Sequence, residues 1–364
     1  MSKFVEGSDL PEELIDFIAN RLFSNVELLR VRSICKPWRS AVATNKSFPN
    51  RHNRNRRRLL APYANGKMCR LDPAAFFRVI LSSSPNKGWL IKTQDISDIR
   101  KRLICPLSRV SIDYSDQTLD LLEFTVSEIH QSYDVQECRK NSTAVRSYGF
   151  ARVVLVGDLV FGVDYSKQIW WCNSGETSSN GVWTRIADEE AEYFSDIIVH
   201  KGQIYALDLK GAIWWISLSE LQIFQYGPPT PMGYYEVDDC KDKRFMECCG
   251  DLYIVHRFCK SFLVKRGKHV ERTIGFKVYR MDEELVEWVQ VKSLGETAFV
   301  MATDCCFSVL AKEYYGCLEN SIYFTDEEGT NNVKVFKLGD GSITTMVNSS
   351  SGSCFQMFSP PPFV

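Results

Sequence analysis

The 364-residue chain is 45% hydrophobic, 24% charged and carries a net charge of -1. It is long enough to bury one large core or two smaller ones, and its near-neutral total excludes a global field that would recruit nucleic acid or an anionic membrane. The charge is uneven: residues 1–70 hold 14 Lys/Arg against 6 Asp/Glu, and the remainder is acidic by 9, which points to two parts with different tasks.

The opening "MSKFVEGSDLPEEL" has no apolar signal region, and the 13 cysteines are odd in number and scattered. Reduced thiols and residence in the nucleus, the cytoplasm or both are therefore expected. The most apolar run, 153–163, contains Asp158 and is too short to span a bilayer, so no membrane is expected as a partner.

Residues 10–43 read as three short helices. Ser8 or Asp9 can cap the first, Pro11 suits its first turn, and Glu12 and Glu13 complement its positive end. Leu14, Ile15, Ile18 and Leu22 then share one face. Ser24 or Asn25 can cap a second helix, and Val31, Cys35, Trp38 and Val42 form another stripe. Pro37 would break a continuous helix and fits the first position of a third one. A unit below roughly 40 residues seldom folds alone. Its apolar faces must meet either the rest of this chain, as a cap, or another protein.

The stretch "LPEELIDFIANRLFSNVELLRVRSICKPWRSAV" resembles an F-box, through Leu10-Pro11, the Leu14/Ile15/Ile18 stripe, Leu28-Leu29, and Ser33, Ile34, Cys35, Lys36, Trp38 and Arg39. The resemblance implies docking to the SKP-type adaptor of an SCF ubiquitin ligase, and through it to a cullin–RING assembly. The adaptor contacts it implies are Leu10, Pro11, Leu14, Ile15, Ile18, Leu29, Ile34, Cys35 and Trp38. Some of these must instead hold the helices together. Cys35 is then a packing residue, and no histidine lies near it in sequence to make it a nucleophile.

The run "RHNRNRRR" (51–58) follows. It suits a solvated linker, a nuclear localisation signal or a phosphate-binding patch. No aromatic residue is interleaved, so it offers no stacking platform, and nucleic acid is not expected as the main ligand.

Past residue 73 the chain turns to strand patterning. One stretch, 118–133, reads as a helix, with Leu121, Leu122, Val126 and Ile129 near one face. Elsewhere apolar and polar residues alternate between Gly, Asp and Asn turns. The pattern also repeats. In 156–173 and 201–218 a glycine turn precedes an apolar strand that ends at Asp164 or Asp208, and Ile-Trp-Trp follows at 169–171 and 213–215. Copies recur at 249–257 with 275–282, and at 319–338 with Asn320 in the glycine's place. Strand units with a period in the forties predict β-propeller blades. At about 45 residues each, 73–364 would hold six or seven, some degenerate. The Trp pairs are expected to pack blades.

Segments 74–94, 106–109, 119–129, 194–214, 275–284 and 320–328 resemble, in order, a large plant F-box family. It is of the SKP-interacting-partner type, with a kelch-related C-terminal propeller. The polar loop 230–244 carries no assignable role.

No nucleophile elbow, phosphate-binding loop or dinucleotide fingerprint is present, and no cofactor or catalytic residue is expected. "CCGDLYIVHRFC" (248–259) has the wrong spacing for zinc. The expected organisation is mainly β with a small α module: a helical unit over 8–46, a basic linker over 47–72 and a propeller over 73–364. The expected role is a non-catalytic substrate receptor that holds a target protein on the propeller. A propeller hydrolase with a helical cap is the competing class, and it requires an axial pocket with convergent carboxylates or histidines. A nuclear interaction protein acting outside a ligase is a further alternative.

Overall fold

The computed structural model describes residues 10–359 apart from 22–24, 45–57, 61–67, 96–100, 113–122, 138–148, 176–181, 187, 189–192, 232–239, 265–267, 327–331 and 347–353. Its helices are α1 (Glu12–Arg21), α2 (Asn25–Ile34) and α3 (Lys36–Thr44). The Pro11 carbonyl accepts the amides of Leu14 and Ile15, and the Cys35 carbonyl accepts that of Arg39. Cys35 thus separates α2 from α3. Pro37 lies in the first turn of α3, where its missing N–H costs no bond. Ile15, Ala19, Trp38, Ala41 and Val42 are buried together, with Leu10, Val31 and Cys35 packed against them.

The remainder forms five antiparallel-rich sheets. Blade 1 holds β1 (Arg58–Leu60), β2 (Met68–Leu81), β3 (Gly88–Asp95), β4 (Lys101–Ile104) and β5 (Phe124–Glu137). Blade 2 holds β6 (Phe150–Val156), β7 (Leu159–Asp164), β8 (Ile169–Asn173) and β9 (Thr184–Ile186). Blade 3 holds β10 (Phe194–His200), β11 (Gln203–Asp208), β12 (Ile213–Ile216) and β13 (Ile223–Gly227). Blade 4 holds β14 (Cys240–Cys248), β15 (Asp251–Val264), β16 (Lys268–Asp282) and β17 (Glu287–Val291). Blade 5 holds β18 (Thr297–Met301), β19 (Cys306–Leu310), β20 (Ser321–Thr325), β21 (Val333–Lys337) and β22 (Ile343–Thr345).

The apolar clusters show how the sheets close into a ring. Each large cluster spans two neighbouring blades. Leu71 and Val135 meet Phe150 and Val153; Phe161 and Val163 meet Ile197 and Trp214; Leu207 and Ile213 meet Ile254 and Tyr279; Val255 and Phe276 meet Phe299 and Phe324. The last cluster joins Val300 and Tyr323 of blade 5 to Phe76 and Leu90 of blade 1, with Phe355 and Met357 of the C-terminal segment inserted. A blade's two faces are both covered only when the circle is complete, which is why the fold is a closed propeller.

Five blades replace the expected six or seven. A mean period overcounts because β2, β5 and β15 each run 14 residues and because connecting segments lie outside the sheets. Strand structure also reaches back to Arg58, into the segment read as linker. The expected helix 118–133 is a second correction: from Phe124 onward it is β5, and 118–122 lie outside the described residues. Phe124 and Val126 are buried around exposed Thr125, a period of two that the helical reading missed. Register with β2 along the whole strand decides between the two patterns.

The repeated Asp residues close their hairpins. Asp208 Oδ1 accepts the Ala212 amide at 2.8 Å and Oδ2 accepts Trp214 Nε1 at 3.0 Å. Asp164 does the same for Gln168 N at 2.8 Å and Trp170 Nε1 at 2.9 Å. The first Trp of each pair is thus tied to its own turn while it packs between strands. Asp208→Ala would strand an amide and an indole N–H in the interior. It is expected to lower stability by about 1–3 kcal/mol, read from the urea midpoint followed by tryptophan fluorescence.

Candidate functional site

Packing of the three helices divides the expected adaptor contacts into two groups. Ile15 and Trp38 are buried in the helices' own core, with Leu10 and Cys35 half-buried against it. Leu14, Ile18 and Ile34 point outward at 48%, 36% and 58% exposure, and Phe17, absent from the expected set, joins them at 53%. Pro11 is exposed. Leu29 lies in α2, but its side chain is outside the described residues. Leu14, Phe17 and Ile18 are spaced i, i+3, i+4, so α1 presents a continuous apolar row. That spacing was available in the sequence and is the signal for Phe17. Arg30 Nη2 donates to the Val126 carbonyl at 2.7 Å, tying α2 to the edge of blade 1.

The second candidate is the propeller axis. Strands β5, β6, β10, β14 and β19 lie side by side around it and wall a cavity of about 510 Å³. Polar groups converge there, as a hydrolase would require; the buried carboxylates Asp196 and Asp304 are committed to ties between blades, and Glu247 of blade 4, also on the wall, meets His200 Nδ1 of blade 3 at 3.0 Å. Arg152 of blade 2 meets Asp196 of blade 3 at 3.1 Å and donates to the Thr303 carbonyl of blade 5. Asp196 accepts the Ile197 amide at 3.0 Å and the Phe245 amide of blade 4 at 2.8 Å. Lys92 of blade 1 meets Asp304, just before β19, at 2.6 Å, and Ser132 donates to the same carboxylate at 2.8 Å. These groups sit in a ring that links all five blades.

Burial pushes the Asp196 carboxyl up to about 6, against the pull of Arg152 and its two amide donors. Burial also pushes the Cys305 and Cys306 thiols well above their usual range, which leaves them protonated and poor nucleophiles. His130 stacks on Phe307 at 4.9 Å between ring centres. Burial, with a smaller push from Lys92, holds it down to about 4 despite Asp304. His256 donates to or accepts from Thr230 Oγ1 at 3.0 Å, and burial, Lys243 and Lys277 hold it down to about 3. Of the tempting 248–259 stretch, Cys248 ends β14 and Cys249 lies in the turn that follows, whereas His256 and Cys259 lie along β15.

Both histidines are neutral in the fold and ordinary in the unfolded chain. The unfolded state therefore binds more protons as pH falls below 6.5, and stability drops by about 1.4 kcal/mol per pH unit for each. Asp196, between 3.8 and about 6, and Asp242, whose carboxyl burial also raises, work the other way and offset part of this loss. The His130 share of the loss is expected from pH 6.5 down to about 4, read as the difference between the wild-type and His130→Phe urea midpoints across that range. His130→Phe, which keeps the stack, should flatten the slope.

Of the basic run 51–58, only Arg58, at the start of β1, is among the described residues, and of the loop 230–244, residues 232–239 lie outside them. Residues 240–244 of that loop are the first part of β14.

Three helices with an outward apolar row, joined to a five-bladed β-propeller, define the class of this protein. The profile of the KIB1-4 β-propeller family matches residues 60–337. Over 99% of each chain the protein is 66% identical to "F-box protein At4g35733" of Arabidopsis thaliana. It is 49% identical to "Putative F-box protein At3g25750" of the same plant, over 98% of each. With "F-box protein SKIP23", also of that plant, identity is 28% over 88% of this chain and 84% of the relative. The chain belongs to the plant F-box proteins that carry a KIB1-4 β-propeller.

Proposed function

We propose that this chain is the substrate-receptor subunit of an SCF-type ubiquitin ligase. Helices α1–α3 act as the F-box, dock on a SKP-type adaptor and so join a cullin–RING assembly in the nucleus or cytoplasm. The propeller holds the target protein. The chain makes and breaks no bond itself; it raises the effective concentration of target lysines near the charged enzyme. The observation that carries this reading is the row Leu14, Phe17, Ile18 with Ile34. These large apolar side chains stay in solvent although the unit's own core is already closed. Burying such a side chain is worth roughly 1.5–3 kcal/mol, so the row is suited to a partner. The axis supports the same reading, since its carboxylates are engaged in holding blades together.

Co-purification with a panel of SKP-type adaptors tests the proposal. Stable association with at least one is expected. Failure with all of them would leave the helices as a cap and return attention to the axial cavity.

A further inference from the structure

Blade 4 departs from its neighbours in one respect. In blade 3 the strand after the inner hairpin runs from the turn glycine Gly202 to Asp208 and ends. In blade 4 His256 stands in that place, six residues after Gly250, yet β15 continues to Val264 and returns from Lys268 as β16. The two strands stay paired over this extension, so blade 4 projects a two-stranded arm.

The register sorts the arm's residues onto two faces, because side chains alternate along a strand. Cys259 pairs with Thr273, and both are buried at the arm's root. There Thr273 and Arg257 both donate to Asp326 of blade 5, anchoring that face. The opposite face carries Lys260 directly across from Arg272, and Phe262 across from Val270. Lys260 and Arg272 are exposed, and Phe262 is 43% exposed with the Arg272 guanidinium 5.8 Å from its ring centre. Like charges placed directly opposite cost stability in a sheet, as does an aromatic ring left in water. The register puts the one acidic residue of the arm, Glu271, across from Ser261 on the other face, so the described charges on this face, Lys260 and Arg272, are both basic. A basic, partly apolar face of this kind is complementary to an acidic segment bearing a large apolar side chain. The rest of the arm's exposed apolar surface, Leu263 and Ile274, is aliphatic, which suits a polypeptide better than stacked bases.

We infer that the blade 4 arm is the target-binding element, and that it takes an acidic peptide segment of the target protein, with carboxylates at Lys260 and Arg272 and an apolar side chain on Phe262. This rests on the substrate-receptor reading.

The test uses the full-length chain and fluorescence anisotropy. The probe is a short fluorescein-labelled peptide of alternating glutamate and phenylalanine, compared with its lysine counterpart and with a single-stranded oligonucleotide. The acidic peptide should bind, more weakly as salt rises, and the lysine peptide should not. Phe262→Ser and Lys260→Glu should each weaken binding about tenfold or more. Lys260→Glu turns a like-charge pair into an opposite one, so it should leave the melting temperature unchanged or higher, and lost binding cannot then come from unfolding. Equal binding by wild type and both variants would overturn the inference. So would tighter binding of the oligonucleotide, which would make the arm a phosphate surface. Binding that appears only after Glu236, Asp238 and Asp239 are replaced by their amides would overturn it too, by assigning the face to this chain's own acidic segment. Adaptor co-purification of the same variants is a separate readout: it should be unchanged, and its failure in wild type would count against the receptor reading alone.

Discussion

Asp304→Ala should destabilise the propeller by about 3–5 kcal/mol, because it leaves a buried ammonium without its counter-charge. Lys92 is fully buried, lies over the Phe76 ring at 4.6 Å, and meets both Asp304 oxygens. Those two residues are 212 positions apart in the chain and join the first blade to the last. The seam they close carries no shared strand among the described residues; apolar packing and this pair hold it together with the Arg78–Glu313 ion pair at 3.0 Å and the amides of Tyr315 and Thr303, which donate to the Gly88 and Leu107 carbonyls. Removing both charges is a different matter. Lys92→Met with Asp304→Leu should recover most of the loss, since a well-packed apolar pair often replaces a buried ion pair at little cost. Lys312→Ala breaks the exposed pair with Glu296 and should leave the urea midpoint where it is. The contribution also has a pH signature. Burial alone would raise the Asp304 carboxyl, but Lys92, Arg109 and the bonds from Lys92 and Ser132 outweigh it and hold the group below its usual range. A depressed carboxyl stabilises the fold above its unfolded value, about 4, and that stabilisation is lost as pH falls further. An Asp304→Ala midpoint within about 1 kcal/mol of wild type would contradict the seam argument.

The second large effect separates the exposed row on α1 from the buried core of the three helices. Leu14→Asp with Ile18→Asp should abolish adaptor association while helix content and the melting transition stay as in wild type, because both side chains already stand in solvent. Trp38→Ala should lose association together with the helices, since Trp38 fills the centre of a small core with Ile15 and Val42. Truncating a buried Trp costs about 3–5 kcal/mol, more than three short helices can spare. Circular dichroism and co-purification on the same samples distinguish the two outcomes. If Leu14→Asp with Ile18→Asp still binds, the adaptor does not use the row.

The repeat Asp–Ile-Trp-Trp made blades 2 and 3 readable directly, because the Asp164 and Asp208 hairpins are local and each residue's partner lies within six positions. Blade 1 was not readable in the same way. Its inner strand β5 shares apolar spacing with a helix and is decided only by β2, a partner far back in the chain. Blade 5 pairs β18 with β20 in parallel, which no hairpin pattern announces. The axial ring was invisible for a related reason: Arg152, Asp196 and Asp304 come from separate blades and acquire their roles only when the circle closes. On the helices, periodicity located two apolar stripes but could not say which side faces inward, because both Ile15 and Leu14 fit a stripe. Only the packing of α1 on α3 assigns Ile15 to the core and Leu14, with Phe17, to the surface.

Hydrogen–deuterium exchange of the full chain, alone and with a SKP-type adaptor, tests the central claim most directly. The receptor account predicts slower exchange over Glu12–Arg21 and around Ile34 in the complex, with the blade strands unchanged. Protection confined to the blades, or none over α1, would contradict it.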